Sequence, residues 1–326
     1  MPISNFAYVR PKSLKEAFKH LSSKDARVSA GGTDLLGCLR DDVFGADKVV
    51  SIGGLDSLRG IAHTRDGGLR IGALVTLSEV GSNKTISEKY PALAQSALEV
   101  ASPQLRNQGT LGGNICQKPR CWYYRGEFHC MRKGGDTCFA FNGQSQFHCI
   151  FGGDLCYIVH PSDTASALVA LDAMARIAGP GGTRMIPLGK FHVPPRENPQ
   201  KETVLKPNEI LTEVLLPPPG KGQRSSYRKV RARRSWDFAL AGLALVLQFD
   251  GNLIKKARVV LSGAAPVPWR CKDAEEAMTG KHLDSDTVSR AADAVVRNAQ
   301  PLKHNAYKIP LFRGVMEEEL LRMTKT

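Results

Sequence analysis

The sequence has no hydrophobic run long enough to cross a membrane. Its longest apolar segment, Phe238 to Phe249, is about half the length that a bilayer span requires. The first residues, Met1 to Arg10, also lack the basic region followed by an apolar stretch that marks an export signal. We therefore expect a soluble protein that is cytoplasmic by its own sequence.

The chain also lacks internal repeats, low-complexity tracts and the G-x-G-x-x-G fingerprint of a Rossmann nicotinamide site. Its 326 residues are 42% hydrophobic and 23% charged, which predicts a globular protein of two or three domains. The formal charge is +14, but the basic residues are spread along the chain apart from Arg228 to Arg234. This distribution disfavours nucleic-acid binding and fits an acidic partner subunit, an anionic dinucleotide or an ordinary solvated surface.

Cysteine is concentrated in one segment. Six of the eight cysteines lie within 41 residues: Cys116, Cys121, Cys130, Cys138, Cys149 and Cys156. Crowded thiolates need disulfide pairing or a soft metal, and the length of the chain and its missing leader argue against disulfides. Zinc is an alternative, but structural zinc sites usually show paired C-x2-4-C knuckles, so the wider gaps here favour iron and sulfide.

Two glycine-rich loops are candidates for binding a dinucleotide. Ala30 to Leu36 follows a predicted strand, and Gly109 to Asn114 follows a predicted helix over Ser87 to Val100. Glycines let backbone N–H groups approach a pyrophosphate, although one Gly-Gly turn alone is more often a simple connection. A third element, Pro161-Ser-Asp163, either caps its own helix or places a carboxylate near a ribose.

The remaining pattern is mixed α and β. It predicts a helix over Ser13 to Leu21 with Ser13 as its N-cap, and strands over Arg27 to Ala30, Lys48 to Ile52 and Leu69 to Ile71. It also predicts regular structure at Tyr157 to Val159 and a helix over Asp163 to Ala173. A boundary falls near Pro217-Pro-Pro-Gly220. Beyond it, the pattern predicts strands over Phe238 to Phe249 and Ala257 to Leu261, a hairpin turn at Asp250-Gly251-Asn252, and helices over Lys272 to Met278, Asp286 to Asn298 and Ile309 to Met323.

Four segments match a known family in the right order: Arg27 to Leu36, Gln104 to Asn114, His160 to Asp163 and Tyr227 to Val230. They resemble the flavin-binding subunit of the xanthine oxidase family of molybdenum hydroxylases. The resemblance implies an α+β protein with a two-lobed FAD-binding domain of the vanillyl-alcohol-oxidase/PCMH type over residues 1–218, its lobes at about 1–55 and 56–218. It also implies a small α+β C-terminal domain of the CO dehydrogenase flavoprotein type over 222–326.

The same resemblance implies which residues hold FAD. The pyrophosphate lies between the two loops, Asp163 contacts the adenosine portion or a flavin edge, and Lys229 contacts a polar edge of the cofactor. No catalytic residue is expected, because the flavin carries the redox chemistry. The implied cofactor-binding set is Arg27, Val28, Ser29, Ala30, Gly31, Gly32, Thr33, Asp34, Leu35, Gly109, Thr110, Gly112, Gly113, Asn114, Asp163 and Lys229.

The cysteine insertion, at about 116–156, resembles two branches of the family, the periplasmic aldehyde oxidoreductases and the 4-hydroxybenzoyl-CoA reductases. Their flavin subunits carry a 4Fe-4S cluster there, and the segments around Cys121 and Cys156 look closer to the first branch. The resemblance implies four cluster ligands: Cys121, Cys130, Cys138 and Cys156. Cys149 is the alternative fourth ligand, Cys116 packs near the flavin, and Cys38 and Cys271 are ordinary buried residues.

Neither a complete plant-type 2Fe-2S motif nor a molybdenum site is recognisable, so those cofactors are expected on a small and a large partner subunit. The implied function is electron transfer in an aldehyde oxidoreductase, from the 2Fe-2S partner to FAD and on to an external acceptor. A signal-bearing partner provides an alternative route to the periplasm by co-export. The competing functions are a subunit of a 4-hydroxybenzoyl-CoA reductase-like enzyme, a free-standing flavin oxidase, and a non-enzymatic zinc-binding scaffold.

Overall fold

The computed structural model describes Ile3 and residues 5–324, so the predicted domain limits at residues 1 and 326 lie outside the described residues. The chain begins with a three-stranded parallel sheet in the order β1-β3-β2, formed by β1 (Ala7–Val9), β2 (Ala26–Ser29) and β3 (Lys48–Ser51). Helices α1 (Leu14–Leu21) and α2 (Leu35–Arg40) connect its strands. The predicted N-cap is confirmed, since Ser13 accepts a hydrogen bond from the backbone N–H of Glu16.

A five-stranded antiparallel sheet follows in the order β4-β5-β8-β6-β7. Its strands are β4 (Ile61–His63), β5 (Leu69–Gly72), β6 (Met174–Gly179), β7 (Gly182–Pro187) and β8 (Ile210–Leu216). Five short helices lie between β5 and the cysteine insertion: α3 (Leu77–Ser82), α4 (Lys84–Lys89), α5 (Pro91–Leu98), α6 (Pro103–Gln108) and α7 (Leu111–Ile115). The sheet and all of these helices except α6 contribute to one apolar core.

The cysteine insertion is mostly irregular. Its α-helical part is the four-residue α8 (Trp122–Arg125). The prediction of regular structure at Tyr157 to Val159 is wrong, because these residues belong to neither a helix nor a strand. One backbone-to-backbone hydrogen bond links them to the rest of the insertion, and in it the Tyr157 carbonyl accepts from the Cys149 N–H. Helix α9 (Asp163–Ala170) follows.

The C-terminal part is an antiparallel sheet in the order β12-β11-β10-β9 packed against three helices. The strands are β9 (Gln223–Val230), β10 (Ala241–Asp250), β11 (Leu253–Ser262) and β12 (Trp269–Arg270). The helices are α10 (Lys272–Met278), α11 (Ser285–Ala294) and α12 (Lys308–Met323). The predicted hairpin is confirmed: Asp250 pairs with Leu253 across the turn, where Gly251 has φ +58°. Helices α5 and α9 contact strands of this sheet, so the two parts of the chain share an extensive interface.

Three helix predictions need correction. The helix predicted over Ser87 to Val100 is two helices, because Pro91 has no backbone N–H and begins α5 instead of continuing α4. The helix predicted over Asp163 to Ala173 ends at Ala170. It cannot continue to Ala173, because Asp172 has a φ of 54°, which is incompatible with a right-handed helix. Helix α11 ends at Ala294, four residues before the predicted end. Among the described residues, no helix is both long and apolar enough to cross a membrane.

Candidate functional site

The two glycine-rich loops lie against each other. A Cβ atom placed on Gly31 would lie 2.0 Å from the carbonyl oxygen of Gln108, so only glycine allows this approach. Gly32 has φ +73°, a conformation that disfavours other residues. A Cβ on Gly112 would lie 2.8 Å from the Cβ of Ala73, which packs the second loop on the turn after β5. Gly113 has slightly more room, because a Cβ atom placed there would lie 3.0 Å from its nearest neighbour, Thr110 Oγ1.

A cleft runs along this contact, and we call it the glycine cleft. It has two connected parts that share Thr33, Asp34, Thr110, Gly113 and Gln117. Every predicted cofactor-binding residue except Ser29 lines it. Arg27, Val28, Ala30, Gly31, Gly32, Thr33, Asp34, Leu35, Thr110, Gly112 and Gly113 line the first part, and Gly109, Asn114, Asp163 and Lys229 line the second. Cys116 also lines the first part. Glycines of both loops leave backbone exposed along the wall of the cleft, so it can accommodate a dinucleotide.

Two polar side chains of the second loop serve the fold. Thr110 caps α7, and its Oγ1 accepts a hydrogen bond from the Gly113 N–H at 3.2 Å. Asn114 Oδ1 accepts hydrogen bonds from the hydroxyls of Ser162 and Thr164, both at 2.6 Å. The sequence predicted that Thr110 and Asn114 contact the cofactor. The structure shows that their oxygens also hold the loop against the start of α9.

Asp163 and Lys229 form a buried ion pair at the second part of the cleft. Lys229 Nζ lies 2.7 Å from Asp163 Oδ2, and both side chains are at most 5% exposed. The hydroxyl of Tyr227 donates to Asp163 Oδ1 at 2.6 Å and also contacts Ser262 Oγ at 2.7 Å. Burial, followed by the Asp163 charge, holds the pKa of Tyr227 well above its usual value, so its hydroxyl stays protonated. The carboxylate is therefore fixed in place from both sides.

Asp34 joins the first glycine loop to the cysteine insertion. Its carboxylate forms ion pairs with Arg120 at 2.9 Å and Arg125 at 2.7 Å, and it accepts a hydrogen bond from the Lys118 N–H at 2.7 Å. Three positively polarised groups from the insertion thus converge on one residue of the predicted FAD loop. The sequence predicted Asp34 as a cofactor residue and gave no sign of this connection.

The four predicted cluster ligands line one small enclosed space, which we call the cysteine cavity. Cys121, Cys130, Cys138 and Cys156 border it together with aromatic side chains, Arg132 and His148. His148 Nε2 lies 3.2 Å from the Cys121 sulfur. Arg132 is 5% exposed and forms an ion pair with Glu202 at 3.0 Å, but its buried Nε has no hydrogen-bond partner among the described residues.

The electrostatics of the cysteine cavity differ from one thiol to the next. A hydrogen bond between Cys138 and Cys156 lowers the pKa of Cys156 and raises the pKa of Cys138. Burial opposes the shift of Cys156, and the Arg132 charge adds to it. Burial raises the pKa of Cys121 to about 11. Burial, with the Lys308 charge second, lowers the pKa of His148 to about 4, so its imidazole is neutral. The buried Arg132 guanidinium is thus the cationic group that borders this space.

The other cysteines lie elsewhere. Cys149 is buried but, in the part of the chain that the structure describes, it is not one of the residues bordering the cysteine cavity. Cys38 and Cys271 are buried, as predicted. Within Ile3 and residues 5–324, no group of three or more His, Cys, Asp or Glu side chains is already arranged to hold a metal ion. The cysteines therefore share a cavity without having ligand geometry.

Comparison with known proteins agrees with this arrangement. Residues 4–219 match the family model of the FAD binding domain in molybdopterin dehydrogenase, and residues 225–323 match the CO dehydrogenase flavoprotein C-terminal domain. The chain belongs to this family of FAD-binding subunits. The predicted family and the predicted α+β class are thereby confirmed, and the chain is a subunit of a multi-chain FAD-dependent oxidoreductase.

This FAD-binding subunit has close relatives of similar length. It is 36% identical over 97% of each chain to the aldehyde oxidoreductase FAD-binding subunit PaoB of Escherichia coli K12. It is 28% identical to the carbon monoxide dehydrogenase medium chain of Hydrogenophaga pseudoflava, over 91% of this chain and 88% of the relative. The solved carbon monoxide dehydrogenase of Hydrogenophaga pseudoflava superposes with a TM-score of 0.76 at 26% identity, covering 98% and 96% of the two chains.

Several residues of the FAD-binding subunit were missed by sequence reasoning. Arg132 and His148 border the cysteine cavity, and Tyr227 and Ser262 complete the network around Asp163. Tyr227 lies in a segment that carried the family resemblance, so the resemblance could have identified it as a residue of the site. Arg132 and His148 lie in an aperiodic insertion, where no pattern marks which side chains point inward.

Proposed function

We propose that this chain is the FAD- and 4Fe-4S-binding electron-transfer subunit of a molybdenum-containing aldehyde oxidoreductase. It receives electrons from a 2Fe-2S centre on a small partner subunit, while a large partner subunit oxidises the aldehyde at molybdenum. The observation that carries the cluster is that four cysteines from a 36-residue stretch, and not the nearby Cys149, border one cavity. The relative PaoB supports the choice of aldehyde.

The residues present fit FAD. In the glycine cleft, Gly31, Gly32, Gly112 and Gly113 leave the backbone exposed where a Cβ would otherwise fill the space or strain the chain. FAD supplies two-electron chemistry together with one-electron exchange with iron–sulfur centres. The protein's own part is to hold the cofactor and to fix the Asp163 carboxylate next to it through Lys229 and Tyr227.

The proposal of a cluster rests on the residue types and on their common cavity, since the four thiols are not arranged in ligand geometry. Cysteine thiolates hold 4Fe-4S clusters, and four cysteines border the cavity. A cluster with four thiolates is an anion, and the unpartnered Nε of buried Arg132 is a donor that such an anion would satisfy. Arg132 and His148 would then donate hydrogen bonds to cluster sulfur, an interaction that tunes reduction potentials.

The deciding experiment measures iron, zinc, acid-labile sulfide and flavin per chain after purification without oxygen. We expect about four iron, about four sulfide and one FAD, with no zinc. Cys138→Ser should lose the iron and sulfide, whereas the matched Cys149→Ser variant should keep both. Zinc in place of iron would overturn the cluster and leave a simpler flavoprotein. Loss of iron in Cys149→Ser with retention in Cys138→Ser would overturn the ligand assignment, because Cys149 would then be the ligand in place of Cys138.

A further inference from the structure

Glu202 connects the two candidate cofactor sites. Its side chain is 12% exposed and forms ion pairs with Lys118 and, at 3.0 Å, with Arg132. Lys118 lines the first part of the glycine cleft, and Arg132 borders the cysteine cavity. In the described part of the chain, Glu202 itself lines neither space. One carboxylate therefore lies behind both sites and holds one cation of each.

Backbone contacts fix the position of Glu202. Its carbonyl oxygen accepts a hydrogen bond from the Val193 N–H at 3.0 Å. The next residue, Thr203, pairs with His192 in an isolated antiparallel bridge. The carboxylate is thus held through its backbone as well as through its two cations, so it stays next to the Arg132 guanidinium.

The two cations differ in their exposure to water. The Lys118 side chain is 33% exposed, and its backbone N–H donates to Asp34 Oδ2 at 2.7 Å. The Arg132 side chain is 2% exposed, so water screens its charge little. The charge of Arg132 is therefore compensated inside the protein, and Glu202 is the carboxylate in contact with it.

We infer that Glu202 is a positioning residue that sets the reduction potential of the proposed 4Fe-4S cluster through Arg132. This inference rests on the proposed function, which assigns the cluster to the cysteine cavity. Reduction adds one negative charge to a cluster, so a buried cation at the cavity favours the reduced state. A carboxylate behind that cation opposes the effect, and Lys118 weakens this opposition from the side of the glycine cleft.

The test measures the midpoint potential of the cluster by redox titration followed with EPR. It uses the protein purified without oxygen, with its cofactors and with any partner chains, and the cluster's signal is identified by its absence from Cys138→Ser. Glu202→Gln keeps the shape of the side chain and removes its charge, so we expect the midpoint to shift to a more positive potential. Lys118→Met removes the cation on the other side of Glu202 and should shift the midpoint to a more negative potential.

Glu197→Gln is the matched control, because Glu197 is an exposed carboxylate five residues before Glu202 in the same loop. It removes the same charge at a place where water and salt screen it. We therefore expect the midpoint of this variant to equal that of the wild type. The opposite shifts of Glu202→Gln and Lys118→Met separate charge compensation from a merely structural role, which gives no reason for the two signs to differ.

Each other result has a defined meaning. Unchanged midpoints in both variants, shifts of the same sign, or an equal shift in Glu197→Gln overturns the role of Glu202 alone. If only Glu202→Gln loses the cluster, the shift in Lys118→Met decides, and no shift overturns the inference. Loss of the cluster from both variants also overturns it, because the ion pairs would then hold the insertion together instead of tuning the cluster. Wild-type protein without a 4Fe-4S cluster contradicts the proposed function, and the inference fails with it.

Discussion

Lys229 Nζ and Asp163 Oδ2 lie 2.7 Å apart in a site where both side chains are nearly inaccessible to water. Lys229 also donates to the carbonyl oxygen of Glu99 at 3.1 Å, so the ammonium links α9, β9 and the end of α5. Two residues 66 positions apart in sequence thus set the geometry of the cleft. The pair combines a structural role with its predicted contact to the cofactor.

Removing one partner of this pair should destabilise the protein. Lys229→Met leaves the Asp163 carboxylate buried without its cation, and we expect the free energy of unfolding to fall by about 3 kcal/mol. Urea unfolding of the FAD-free protein measures this without the contribution of the ligand. The double variant Lys229→Met/Asp163→Asn should recover part of the loss.

Lys256→Met is the control, because Lys256 forms an exposed pair with Asp172. This substitution should lower the free energy of unfolding by less than about 1 kcal/mol. Equal costs for Lys229→Met and Lys256→Met would contradict this account.

The contact between the glycine loops makes a prediction about FAD alone. Gly31→Ala places a methyl group 2.0 Å from the Gln108 carbonyl oxygen, so the two loops must separate. We expect the purified variant to contain less than about a tenth of the wild-type flavin, as expected for a backbone contact that tolerates no side chain. Flavin absorbance per chain measures this. Gly54→Ala is the matched control, since nothing lies within 4 Å of a Cβ at that position. Full flavin content in Gly31→Ala would show that the loop contact does not shape the site.

The sequence predicted the helices and strands of this protein best where the hydrophobic periodicity agrees with the capping and turn residues. The hairpin at Gly251 and the cap at Ser13 depend only on neighbouring residues, and both were predicted correctly. The break at Pro91 was missed because the apolar pattern continues through it, although the proline itself was a signal. The partners of Asp34 could not be predicted, since Arg120 and Arg125 come from an insertion whose path is set by long-range contacts.

Asp34 gives a test of whether the insertion and the FAD loop are independent. Asp34→Ala removes the partner of two arginines that are at most 34% exposed and frees the Lys118 N–H. We expect loss of both flavin and iron, together with faster proteolytic cleavage within residues 116–156. Flavin content, iron content and limited proteolysis with mass spectrometry provide the measurements. Asp56→Ala is the control, because the Asp56 side chain is 97% exposed. Loss of flavin with full retention of iron would show instead that the insertion folds separately.

Lys308 predicts a pH dependence of stability. Its side chain is inaccessible to solvent, Nζ donates to the Gly263 carbonyl oxygen at 2.6 Å, and burial lowers the pKa of the ammonium from 10.5 to about 8. Between pH 8 and 10.5 the unfolded chain holds this proton and the folded chain does not, so raising the pH across that window favours the folded state. The contribution amounts to about 3 kcal/mol over the window.

Lys308→Met isolates this contribution, because methionine fills similar space without a charge. We expect the variant to be more stable than wild type at neutral pH, and the difference to shrink as the pH rises through the window. Urea unfolding of both proteins at matched pH values measures the difference, which cancels the titration of all other groups. A difference that stays constant with pH would mean that Lys308 keeps its ordinary pKa, because an anion compensates the buried charge. The nearby Cys149 acts in that direction, so the comparison should be repeated with Cys149→Ser as the background.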